Sequence, residues 1–187
     1  MALTYGTKEW DEAYEAKLKE RLENKPKPFV VGTPEWVHEL KEVVNKDEAY
    51  KNAAKTWEYT ITLDVGAKPE YGIEDDVCIF LDIWHGVCRS ARILPKEEAH
   101  KADYVFSGAY ETWKSVAKLE KDTMKLVVQG EIKLKGDLAR MMKYVKAAKR
   151  LAELSGVVEG VWPDELPAAE LEKFKAEIKE LREEFGV

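Results

Sequence analysis

LVVQGEIKLKGDLARMMKYV, residues Leu126 to Val145, changes periodicity midway. Ile132 and Leu134 alternate with Glu131, Lys133 and Lys135, the two-residue repeat of a strand with one apolar face. Gly136 breaks that strand. Asp137 is placed to cap a helix, because its carboxylate can accept from backbone N–H groups of the first turn. Leu138, Met141, Met142, Val145 and Ala148 then recur at helical spacing as one apolar stripe. A strand with one oily face therefore turns sharply into a helix with one oily face. Methionine is flexible and polarizable, which suits a wall that touches a variable apolar guest, and it equally suits ordinary core packing.

Outward from this stretch, the run from Ala102 to Tyr144 holds an Ala-Asp strand, a short helix, an apolar turn ending in Gln129-Gly130, a lysine-alternating strand, then glycine and an amphipathic helix. Upstream, VCIFLDIWHGVCRSARILP, Val77 to Pro95, reads as a hairpin turning at His85-Gly86. In this order the features resemble the sterol carrier protein 2 family, from about Trp57 to Ser155. The resemblance implies an α+β fold: a mostly antiparallel five-stranded sheet with helices packed on one face, enclosing an apolar tunnel. Known members bind fatty acids, acyl-CoAs, sterols or other lipids, and no catalytic residues are attributed to the fold. The walls of such a tunnel are expected from Trp113, Val116, Leu126, Val127, Ile132, Leu134, Leu138, Met141, Met142 and Val145. Gln129 falls at the family's Gln-Gly position, where it either meets a ligand's polar end or caps local backbone.

With 187 residues, 45% of them hydrophobic, the chain is long enough for one well-formed core and short for two. The reading is one lipid-binding domain, residues 31–155, with an N-terminal amphipathic helix and linker at 1–30 and a C-terminal amphipathic helix at 156–187. A formal charge of -6 argues against a phosphate-binding surface, so no nucleic-acid partner is expected. No run approaches the roughly 20 apolar residues of a membrane span, and the start has no apolar leader core, so the expected place is the cytoplasm. There Cys78 and Cys88, which flank the His85-Gly86 turn, are expected as packed thiols rather than a disulfide.

In chain order, Trp10, Tyr14, Leu18 and Leu22 predict a helix over 7–23, ended by the Lys25-Pro26-Lys27-Pro28 linker. Thr33-Pro34-Glu35 is a helix start, with threonine as cap and glutamate at the positive end of the dipole. Residues 57–65 alternate as a half-buried strand, with Trp57, Tyr59, Ile61, Leu63 and Val65 on an apolar face and Thr60, Thr62 and Asp64 on a wet one. The amphipathic helix from Leu138 is expected to run to Leu154 and to close at Ser155-Gly156. After it, Leu171, Phe174, Ile178, Leu181 and Phe185 form a narrow seam that needs a partner surface. That surface is either the tunnel of its own domain, with the helix as a lid, or another chain, as a homodimer or partner protein.

Chemistry-bearing motifs are absent. There is no His-Glu-x-x-His or paired-cysteine zinc pattern, no Walker loop, no Gly-x-Gly-x-x-Gly and no Gly-x-Ser-x-Gly. No metal, no cofactor and no catalytic residue is expected. Asp82, in mid-strand, either pairs with Arg89 on a wet face or faces the cavity as a desolvated carboxyl. The expected function is non-catalytic binding and transfer of lipids or other hydrophobic ligands. The alternative is an accessory subunit that docks through its terminal helices and handles a hydrophobic substrate.

Overall fold

Side chains written into the sequence set the helix starts. Thr7, Asp47, Asp122 and Asp137 each accept a hydrogen bond from the backbone N–H three residues on, which satisfies a free donor of the first turn. In the computed structural model, which describes residues 1–187, these caps frame the order α1 (Lys8–Asn24), β1 (Phe29–Val30), α2 (Pro34–Lys46), α3 (Glu48–Ala53), β2 (Thr60–Val65), β3 (Val77–Trp84) and β4 (Val87–Ile93). Then follow α4 (Lys96–Ala99), β5 (Tyr104–Gly108), α5 (Tyr110–Ala117), α6 (Thr123–Gln129), β6 (Ile132–Lys135), α7 (Leu138–Met142), α8 (Val145–Val157), β7 (Gly160–Val161) and α9 (Ala168–Phe185).

Five strands form one sheet in the order β4-β3-β2-β5-β6. Only β2 and β5 run parallel; the other neighbours are antiparallel. The β3–β4 hairpin turns at His85 and Gly86, whose φ values of 51° and 79° are those of a tight two-residue turn. This is the α+β class with a mostly antiparallel five-stranded sheet that the sequence predicts. Ile61, Ile79, Leu81, Ile83 and Phe106 share one sheet face, and with α2, α3, α5, α7 and α8 they build the main core.

The opposite face departs from the expectation of a wet surface. Thr62 is 0% and Asp64 4% exposed. Trp10 and Tyr14 of α1 and Leu181 and Phe185 of α9 pack there with Cys78, Leu94 and Ala99. Trp10 stacks on Tyr14 at 4.9 Å, its Nε1 donates to the Phe185 carbonyl at 3.2 Å, and the Ile93 N–H donates to the Tyr14 hydroxyl at 3.0 Å. The alternation is correct, but two helices distant in sequence cover the face it exposes. The α9 seam closes on its own chain: Phe174 joins the main core, Phe185 the second cluster, and Ile178 touches both.

Three local details also differ. Thr33 stands at the N-cap of α2 but its side chain makes no bond to the first turn; its hydroxyl donates to the Val30 carbonyl at 2.7 Å, while Glu35 is buried against Arg21. The helix expected over 138–154 is two helices, broken at Lys143-Tyr144, and the second runs to Val157 through Gly156. Tyr144 turns inward at the break, packing edge-on against Trp57 at 4.9 Å with its hydroxyl donating to the Thr56 carbonyl at 3.2 Å. Cys78 and Cys88 are buried free thiols that belong to opposite faces of the sheet, which rules out a bond between them.

Candidate functional site: an apolar cavity and its groove

Between the sheet and the helices lies a cavity of about 90 Å³. Twenty of its 22 lining residues are hydrophobic, and the other two are Thr123 and Ser155. The sheet supplies Ile61, Leu63, Val65, Ile79 and Phe106; α2 supplies Trp36 and Leu40; α5 supplies Trp113, Val116 and Ala117. The hollow exists because of what α8 turns towards the sheet. Ala147, Ala148, Ala152 and Ser155 occupy that inner face with Leu151 as the one long side chain, so the helix crosses the sheet without filling the space beneath it.

No charged residue, histidine or cysteine is among the lining side chains. The polar groups are few and mostly occupied: the Ser155 hydroxyl donates to the Ala152 carbonyl at 2.6 Å, and the Trp113 Nε1 donates to the Asp64 carbonyl at 2.9 Å. Two are not. Trp36 Nε1 and Thr123 Oγ1 are buried without a hydrogen-bond partner in the protein, a condition that costs about 1–3 kcal/mol per group. Burial pushes the Tyr50 hydroxyl well above the ordinary tyrosine value, so it stays neutral against the cavity.

At Val116, Thr123 and Ala152 the cavity adjoins a wider, polar groove of about 550 Å³ between α6 and α8. Lys121, Lys125, Lys149 and Gln129 line it, together with Glu120, Asp122 and Glu153. Lys121 reaches Glu131 at 3.2 Å and Arg150 holds Glu153 at 3.0 Å.

Of the wall residues expected from the sequence, Trp113, Val116 and Met141 line the cavity. Leu126 and Gln129 line the groove, Leu126 buried and Gln129 exposed. Ile132 is fully buried within the main core outside the hollow, and Val127, Leu134 and Val145 pack against that core from its edge. Leu138 and Met142 do not face a cavity: they are 45% and 48% exposed. The break at Lys143-Tyr144 is the reason. The expected stripe assumed one continuous helix, whereas α7 is a short piece that turns Met141 inward and leaves Leu138 and Met142, one turn apart, outside. The small residues of α8 were the signal available instead, since Ala147, Ala148, Ala152 and Ser155 share a helical face where a core helix ordinarily carries larger ones. Asp82 is outside the site, held by Arg89 Nε and Nη2 at 3.1 and 2.8 Å. None of the cavity lining comes from α9, and no helix is long and apolar enough to cross a membrane.

The fold has counterparts among known proteins. A model of the SCP-2 sterol transfer family matches residues 37–149. The crystal structure of a sterol carrier protein 2 is similar with a TM-score of 0.64 at 30% identity, covering 68% of this chain and 98% of that one. The solution structure of a conserved hypothetical protein from Thermus thermophilus is similar with a TM-score of 0.65 at 29% identity, covering 73% and 94%. No curated protein sequence matches the chain. With the family model spanning more than half its length and the sheet and helices in the same arrangement, the chain belongs to the SCP-2 sterol transfer family.

Proposed function

We propose that this protein is a non-catalytic carrier that holds the hydrocarbon tail of a lipid in the cavity and its polar end in the groove. The carrying observation is a hollow whose lining is hydrophobic at 20 of 22 positions and offers no charged residue, histidine or cysteine to do chemistry. Membership of a sterol transfer family supports the same reading. Volume selects among lipids. The hollow of about 90 Å³ suits a single hydrocarbon chain more than a fused-ring sterol. Each methylene moved from water into the hollow contributes about 0.8 kcal/mol. Lys125 and Lys149, which line the groove and pair with no carboxylate, suit an anionic head such as a carboxylate, and the Thr123 hydroxyl stands unpartnered where groove and cavity meet.

Native mass spectrometry of the delipidated chain with saturated fatty acids of graded length, and with cholesterol, tests this. The expected result is a one-to-one complex whose affinity rises about fourfold per methylene and levels off once the chain fills the hollow, with cholesterol weaker. Failure to bind any of these ligands, or an affinity independent of chain length, refutes the carrier reading.

A further inference from the structure

On the sheet face away from the cavity, three residues far apart in sequence bring different donor atoms together. Asp64 of β2 lies directly across from Cys78 of β3 and from Ser107 of β5. His100, just past α4, reaches over the same spot. His100 Nε2 is 2.8 Å from Asp64 Oδ2, Ser107 Oγ donates to that oxygen at 2.9 Å, and Cys78 Sγ lies 3.7 Å from Asp64 Oδ1. One donor atom from each of Asp64, Cys78 and His100 falls within 4.8 Å of the other two. Asp64 and Cys78 are 4% and 1% exposed, whereas the His100 side chain is 31% exposed and gives the group a solvent side.

We propose that Asp64, Cys78 and His100 bind a divalent transition-metal cation of the zinc type, with a water in the fourth position on the solvent side of His100. The donor set is one thiolate sulfur, one imidazole nitrogen and one carboxylate oxygen, all established zinc ligands. Bonds of about 2.0–2.3 Å in a tetrahedron hold ligand atoms about 3.3–3.7 Å apart. With Oδ1 as the ligand oxygen, the Asp64–Cys78 separation already meets that spacing at 3.7 Å, and the His100 ring, 2.8 Å from Oδ2, exchanges that contact for the metal. Ser107 keeps its bond to Asp64 Oδ2 and orients the carboxylate, the part that outer hydrogen bonds play at metal sites. Fixed on three strands and a helix end, the group is held with little freedom to lose on binding.

Coordination releases the Cys78 thiol proton to solvent, so binding tightens as pH rises. Burial, then the charges of Asp64 and Asp76, push that thiol up to about 12, and Lys96 opposes them. A thiolate among the ligands favours zinc and cobalt over magnesium and calcium.

Cobalt(II) is the probe, because a thiolate ligand gives a sulfur-to-metal charge-transfer band that oxygen and nitrogen ligands do not. Titration of the full chain, reduced and at mildly alkaline pH, should develop this band at one equivalent, and added zinc should abolish it. Cys88→Ser should leave the band intact, Cys78→Ser should remove it, and His100→Ala should weaken cobalt binding at least tenfold. A silent wild-type titration overturns the site, as does a band that survives Cys78→Ser. Should Cys78→Ser not fold, His100→Ala decides, since His100 is partly exposed and unchanged cobalt affinity in that variant refutes the assignment. Fatty-acid binding is read separately and moves with neither substitution.

Discussion

Arg21 of α1 grips Glu35 of α2 with two parallel hydrogen bonds, Nε to Oε2 at 2.6 Å and Nη2 to Oε1 at 2.9 Å, while both side chains are all but closed to solvent at 7% and 3%. Glu177 of α9 approaches the same guanidinium at 3.5 Å. Of the three helices that meet here, α1 and α9 stand at the two ends of the described chain and α2 follows the short β1 strand. Fork-to-carboxylate geometry offsets the loss of hydration for both charges, and removing Glu35 leaves the buried guanidinium with only the longer contact to Glu177. Glu35→Ala should therefore destabilise the protein by about 3–5 kcal/mol, read as a shift of the urea unfolding midpoint. Arg21→Met combined with Glu35→Leu should recover most of that loss. A double variant no more stable than Glu35→Ala counts against the argument.

The hollow under α8 depends on small side chains. Ala148→Leu should occupy it, weakening fatty-acid binding at least tenfold while leaving stability unchanged or raising it by up to about 2 kcal/mol, the usual return on filling a cavity. Calorimetric unfolding and a displacement assay read the two effects side by side. If the space were absent, overpacking would instead lower stability by about 1–3 kcal/mol.

Glycine to alanine within a helix ordinarily adds about 1 kcal/mol of stability. At Gly156 of α8 the sign should reverse, because a Cβ there would sit 2.7 Å from the Ala117 carbonyl oxygen. The obstacle is backbone, which moves at greater cost than a side chain. Gly156→Ala should lower the melting temperature by several degrees, in keeping with overpacking of about 1–3 kcal/mol. A stabilised variant would show that α8 and the end of α5 stand further apart.

Asp164 supplies the pH dependence. Burial works against its charge, but hydrogen bonds from Lys114 Nζ and the Tyr110 hydroxyl, both at 2.5 Å, outweigh burial and hold the carboxyl below its ordinary value of 3.8. The unfolded chain therefore takes up this proton first as pH falls. The stabilising contribution is complete above about pH 5 and lost as pH drops through 3.8 and below. Wild type should exceed Asp164→Asn by about 1–2 kcal/mol at neutral pH, and the gap should narrow steadily as pH falls below 3.8. A gap that persists there would assign the effect to packing.

Much of this architecture was legible in the residues themselves. Asp137 announces a cap, His85-Gly86 a tight turn, and the alternation of residues 57–65 a strand that forms over Thr60–Val65, because caps, turns and strand alternation are decided within a few neighbours. The family resemblance placed those pieces in order, and Trp113, Val116 and Met141 of the expected wall reach the hollow. The rest depends on groups that meet only after folding. Leu138 and Met142 read as a wall until Tyr144 turns in to meet Trp57 and breaks the helix. Thr62 and Asp64 read as a wet face until α1 and α9 cover it.

Sequence alone determined most of the elements and their apolar faces, since periodicity and capping are properties of a short stretch of chain, and the family resemblance supplied the class of fold. Only the tertiary structure decided where the empty space lies and which donors share a point. A hollow is set by the side chains missing from α8, and the meeting of Asp64, Cys78 and His100 by strand register and a loop, neither of which any local pattern records.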